Sequence, residues 1–189
     1  MKITNMKSAI QFVQKATAKD EWRLHMSYVY WMPESRSLAA TNGRALHVYQ
    51  PSEEEVTSSG LNNTPAGPVE FAWNGEGGIH VYPKAIVADG LDKLRETEEA
   101  VLKIPHTFKR IMTPANVTHP CVDFTGPETS IPRFIARTGV PFNYKILACL
   151  SGNTWDISLG GEKASRFDLV PGRGFKGSVT VMAMPLMKE

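Results

Sequence analysis

What this chain has little of narrows it first. Cys121 and Cys149 are its only cysteines, with no CxxC pair and no Cys/His ligand spacing. That argues against a zinc site and against a disulfide framework, and leaves two reduced thiols of a cytosolic, cytoplasmic protein as the expectation. No apolar run reaches the roughly 18 residues of a membrane-spanning helix. The opening residues Met1 to Lys7 lack an apolar core of the kind that marks an export signal. Charge of one sign is also missing. Lys plus Arg number 21 and Asp plus Glu 19, a net +2 that is too mild to argue for nucleic acid without clustering.

Catalytic signatures are absent as well. His25, His47, His80, His106 and His119 show neither HExxH nor HxxxH spacing, and no GxSxG elbow occurs. Gly172-Arg173-Gly174-Phe175-Lys176-Gly177 matches GxGxxG letter for letter, but a strand follows it where a dinucleotide site needs a helix. The segment reads as a hairpin loop. No catalytic residue, metal ligand or cofactor is assigned, and the expectation is a protein that is not an enzyme. A long Pro-rich middle segment keeps one enzymatic alternative open, with its site in residues 51–130.

What is present is a pattern of short elements. Asn5 suits the N-cap of a helix running to about Ala18, with Met6, Ala9, Ile10, Val13 and Ala16 as its buried stripe. Lys7, Gln11, Lys15 and Lys19 step along the opposite side, either as a solvated face or as a row facing phosphates. Arg23 to Tyr30 alternates like a strand, with Leu24, Met26, Tyr28 and Tyr30 on one side. Residues 37–41 and 44–49 flank Asn42-Gly43, a strong hairpin signal. Residues 51–68 read as an exposed, mobile loop. Val69–Trp73 and Ile79–Tyr82 read as short strands, and Pro83 as the first residue of a helix with Val87, Leu91 and Leu94 inward. Val122-Asp123-Phe124 and Ile131–Ala136 read as strands. Phe142 to Leu150 reads as a helix capped by Asn143, followed by strands over 154–159, 166–170 and 178–184. Strands follow helices in runs without βαβ alternation, which predicts an α+β fold with antiparallel sheets.

Three motifs, in this order, resemble the bacterial DNA polymerase III beta subunit, the sliding clamp. Ala40-Thr41-Asn42-Gly43-Arg44-Ala45-Leu46 is similar to that family's ATDGHRLA segment, with Asn for Asp and an altered HR order. Phe142-Asn143-Tyr144-Lys145-Ile146-Leu147 is similar to its FNxKYL helix start. Met182 to Leu186 is similar to its terminal VMPM strand, with an extra Ala183. The resemblance implies a single DNA-clamp-like domain over 1–189. Two β-α-β-β-β halves, about 1–50 and 130–189, would carry two helices on one face of antiparallel sheets, with about 51–130 as an insertion or elaborated connection.

The resemblance also implies function. Lys7, Lys15, Lys19 and Lys145 would meet duplex DNA through its phosphates, without reading sequence. Thr41, Gly43, Arg44, Leu46, Met182, Met184 and Pro185 would form a pocket for a short peptide of a polymerase-type partner. In a single domain the two walls of that pocket need not meet, except across a subunit boundary. The family ring has several such domains, so this chain would have to form a homo-oligomer to close one. A binding module that keeps the fold but works through protein contacts is the alternative.

Overall fold

In the computed structural model, described residues are 1–19, 21–75, 78–88, 92–100, 103, 119–126, 130–160 and 164–186. The fold is α+β. Helix α1 (Met6–Gln14) is followed by a 3-10 turn (Glu21–Met26) and by strands β1 (Val29–Met32), β2 (Ser37–Thr41) and β3 (Ala45–Gln50). Helix α2 (Glu53–Ser58), a 3-10 turn (Leu61–Asn63), β4 (Gly67–Trp73) and β5 (Ile79–Pro83) come next. Helix α3 covers 92–100. Strand β6 (His119–Asp123), helices α4 (Ser130–Thr138) and α5 (Tyr144–Leu147) and a 3-10 turn (Ala148–Leu150) lead into β7 (Thr154–Ser158), β8 (Ser165–Leu169) and β9 (Ser178–Ala183). Among the described residues no helix is long and apolar enough to cross a membrane.

The nine strands among the described residues form one antiparallel sheet in the order β5-β4-β1-β2-β3-β9-β8-β7-β6. Strand β3 meets β9 over six register pairs from Ala45↔Ala183 to Gln50↔Ser178, and the three-strand runs β3-β2-β1 and β9-β8-β7 leave this seam in matching order. The hairpin at Asn42-Gly43 forms as its sequence predicts. Gly43 has φ 83°, a left-handed value that costs a side chain dearly and glycine nothing. Asn42 Oδ1 accepts from the amides of Arg44 and Ala45, which pins the turn from inside.

One face of the sheet carries the helices. Alternation along the strands sends Trp31, Leu38, Tyr49, Val181, Phe167 and Trp155 into a core completed by Ile10 and Val13 of α1, Ile131 of α4 and Leu147 of α5. Asn5 caps α1 through a reciprocal capping box with Ser8, and the predicted stripe Met6, Ala9, Ile10, Val13 and Ala16 is buried. Phe12, absent from that stripe, is buried as well. It stacks on His47 at 4.4 Å and lies 5.9 Å from Trp155. The other face holds Tyr28, Tyr30, Met32, Ala39, Leu46, Val48 and Met182, with Ile86 and Ala164 packed against them.

Four sequence readings are corrected. Residues 21–26 form a 3-10 turn, not the start of a strand, because the Met26 carbonyl is taken by Ala18 N–H at 2.8 Å and Arg23 Nη1 reaches the Asn42 carbonyl at 2.9 Å. Residues 131–136 are helical. Ile131, Phe134 and Ile135 stand at i, i+3 and i+4 and reach one core, and Pro132 falls in the first turn, where its missing N–H costs nothing. Residues 51–68 are not an open loop. Ser52 and Glu55 make a capping box that starts α2, and Val56 and Leu61 are buried. Pro83 ends β5 opposite Val69 and opens no helix. Asp89, Leu91 and the Pro-rich stretch 104–118 lie outside the described residues.

The middle of the chain therefore supplies β4, β5 and β6 to the same sheet. Residues 119–183 run strand, helices and three strands. Residues 1–50 run helix and three strands, with no strand ahead of α1. Asn153 ties the two stretches together. Its side chain accepts from Ile3 N–H at 2.9 Å and donates to the Met1 carbonyl at 2.9 Å.

His47 lies at the middle of this core, 3% exposed. Its Nδ1 is 3.0 Å from the Phe12 carbonyl, which can only accept, so Nδ1 holds the proton and Nε2 faces Cys149 Sγ at 3.6 Å. Burial, with Lys15 nearby, lowers the imidazole pKa from 6.5 to about 4, against the opposing pull of the Phe12 bond. Between those values the unfolded chain binds a proton that the native chain refuses. Stability is therefore lost as pH falls from 6.5 to 4, by about 3 kcal/mol in all. His47→Phe should flatten this part of the acid limb, measured as urea unfolding free energy at neutral pH and near the lower value. An acid slope identical to that of the parent chain would contradict the assignment.

Candidate functional site

The helix-bearing side of the molecule has an unusual charge pattern. Residues 1–19 and 130–153 supply α1, α4, α5 and the loops around them. They hold Lys2, Lys7, Lys15, Lys19, Arg133, Arg137 and Lys145, and no Asp or Glu at all. All seven are exposed. Among the described residues none of the seven forms an ion pair. The whole chain has 21 basic and 19 acidic residues, so the remainder is net negative and the near-neutral total hides a segregated surface.

Each predicted lysine can be placed. Lys7 is on α1 with its ammonium 5.1 Å from the ring centroid of Trp73 on β4. Lys15 is the C-cap residue of α1, and its charge is felt by both His47 and Cys149. Lys19 lies just past α1, and Lys145 is on α5. The two helices share one face of the sheet, joined by His47, which touches the Phe12 carbonyl of α1 and the Cys149 thiol beyond α5. Lys2, Arg133 and Arg137 were not among the predicted residues. The signal that finds them is the lack of carboxylates across the two segments.

Acid does approach at one end of this side. Glu53, Glu54 and Glu55 belong to α2, but Glu53 pairs with Arg36, Glu54 pairs with Lys176, and Glu55 caps its own helix at Ser52. Each pair is a surface contact of small energetic worth. Their effect here is to cancel charge locally. Lys176 belongs to the glycine-rich loop, which joins β8 to β9 as a hairpin and places Phe175 on Tyr49 at 6.1 Å. A Cβ at Gly177 would come within 2.5 Å of Tyr49, so that glycine serves packing.

The seven residues assigned to a peptide pocket are brought together, and within one chain. Leu46 and Met182 are direct register partners across β3 and β9, and Met184 N–H donates to the Arg44 carbonyl at 3.0 Å. No subunit boundary is needed for the two motifs to meet. Leu46 and Met182 are only 4% and 6% exposed, however, and the chain itself covers them. The Thr41 hydroxyl donates to the Ala45 carbonyl at 2.7 Å and accepts from Gly43 N–H at 3.1 Å, so it serves the turn. Arg23 Nη1 and Met26 Sδ lie 3.2 and 3.7 Å from where a Cβ of Gly43 would be. Met184 and Leu186 are the open part, 47% and 50% exposed, and Pro185 is half-buried beside them.

Among the described residues no group of His, Cys, Asp or Glu could hold a metal ion. The His47–Cys149 pair is a buried polar contact and a poor nucleophile. The thiol donates to the Ile146 carbonyl at 3.0 Å, and burial pushes its pKa up to about 12. No protein-family model, no curated protein and no solved structure matches this chain.

Two outcomes follow from these placements. Leu46→Ala should cost roughly 2–5 kcal/mol of stability as a buried truncation, and Met184→Ala less than about 0.5 kcal/mol, both read by chemical denaturation. Equal effects would mean that Leu46 is not core. In native protein treated with iodoacetamide at neutral pH, Cys121 should alkylate and Cys149 should stay intact until the chain unfolds, as read by peptide mass.

Proposed function

We propose that this chain is a non-enzymatic, sliding-clamp-like protein of DNA replication that binds duplex DNA through its phosphates, independently of sequence. The observation that carries the reading is the charge segregation. Seven exposed cations, none in an ion pair among the described residues, and no carboxylate occur on the two segments that lay helices over one face of the sheet. Lysine ammonium groups and arginines spread over a helical surface suit phosphate oxygens, which position a duplex without reporting its bases. The matching three-strand runs on either side of the β3–β9 seam, with helices over the same face, support a two-half, clamp-type arrangement, with residues 67–83 as added strands. Encirclement would require several copies. Strands β5 and β6, which end the sheet among the described residues, are the edges through which copies would pair.

A second reading rests on a different observation, the exposed Met184 and Leu186 beside the half-buried Pro185. A protein-binding module would use this apolar terminus to hold a polymerase-type partner, with the cations as solubility charge.

Binding of a labelled random-sequence duplex, followed by anisotropy over a range of salt concentrations, separates the two. Under the DNA reading, log K falls with log salt by about 0.9 for each phosphate contact. Lys15→Ala and Lys145→Ala should each weaken binding on every sequence and reduce the slope by about 1. Salt-independent binding, or no binding at all, would remove the DNA reading and leave the protein module.

A further inference from the structure

We infer that the indole of Trp73, together with the cleft between α1 and β4, receives unpaired nucleobases, so that the basic face engages single-stranded nucleic acid at this rim. The inference rests on the phosphate-binding reading of that face and adds a second kind of contact to it.

Trp73 ends β4 on the helix-bearing side and is 37% exposed, an unusual position for so large an apolar ring. Trp31 and Trp155, by contrast, are buried. Phe71 supports it from one side, with ring centroids 6.5 Å apart and planes 27° from parallel. Over the ring stands the ammonium of Lys7, at 5.1 Å. A hydrated, flexible cation is a replaceable cover, unlike a packed side chain. A base stacking there would displace it, and the freed ammonium would then be within a side chain's length of that nucleotide's phosphate. Stacking of this kind tolerates every base, because every base has a π-face.

The cleft extends the same chemistry. It has a volume of about 270 Å³, and Phe71 lines it as well as supporting Trp73. The Gln14 side-chain amide can both donate to and accept from a base edge, while the Thr17 and Ser27 hydroxyls, which donate to the Gln14 and Arg23 carbonyls, keep lone pairs that can accept. Lys84 also lines the cleft, with its ammonium 5.7 Å from the Tyr28 ring, which belongs to the opposite face of the sheet. Glu70 is the one carboxylate lining it, able to accept from an exocyclic amine.

The test compares a labelled oligothymidine with a blunt duplex, by anisotropy, for the parent chain and for Trp73→Ala, Trp73→Phe and Lys15→Ala. Thermal melts establish that each variant is folded, and Trp73→Phe preserves the packing on Phe71. Trp73→Ala should weaken oligothymidine binding by roughly 5- to 150-fold, the range expected for one lost base–aromatic stack. Duplex binding should stay unchanged, and Trp73→Phe should fall between. Unchanged oligothymidine binding by Trp73→Ala, or equal losses on both ligands, would overturn this inference. If Lys15→Ala still weakens both ligands in that case, the phosphate-binding reading survives alone. A parent chain that binds neither ligand overturns both.

Discussion

The antiparallel seam between β3 and β9 is the constraint on which the rest of the molecule depends. It joins residue 45 to residue 183 and closes nearly the whole chain into one sheet. Closing so long a loop costs entropy before any contact rewards it. What offsets that cost is packed on the seam. Leu46 and Met182 meet on one side, and on the other His47 is held between Phe12 and Cys149. The histidine is neutral there, and its single proton is committed to the Phe12 carbonyl. A charged imidazole would break the arrangement that seats α1 beside α5, which makes acid the natural way to loosen the two stretches from one another.

Once the helices share a face, the charge pattern acquires meaning. Seven cations scattered over two distant segments are unremarkable along the chain. The fold brings both segments to the helix-bearing side of the sheet, while the triple glutamate of α2 is absorbed by Arg36, Lys176 and a capping box. The exposed Trp73 with its lysine cover stands on the same side of the sheet. The other side of the sheet is different in kind. There Ile86 and Ala164 pack over the sheet, and Met184 and Leu186 are exposed at the end of β9.

Some of this was legible from residues alone. The Asn5 cap, the α1 stripe, the Asn42-Gly43 turn and the alternating strands at 154–158 and 178–183 rest on local rules of capping, left-handed φ and side-chain period. The errors share a cause. Residues 23–28 alternate like a strand, yet Ala18 and Asn42 claim their polar groups and bend this part into a turn. Ile131, Phe134 and Ile135 carried a helical spacing that the β-branched residues obscured. Ser52 and Glu55 spelled a capping box inside a stretch whose composition suggested a loop.

The sequence by itself determined the short-range geometry: where helices are capped, where the chain turns, and which side of each strand is apolar. It also determined that two segments lack acid. Only the tertiary structure decided that β3 lies against β9, that Leu46 and Met182 are core, and that the two basic segments share a face. Local preferences act through a residue's own dihedral angles and near neighbours. Pairing across more than a hundred residues is chosen by how much apolar surface the partners can bury together, which no single stretch of chain contains.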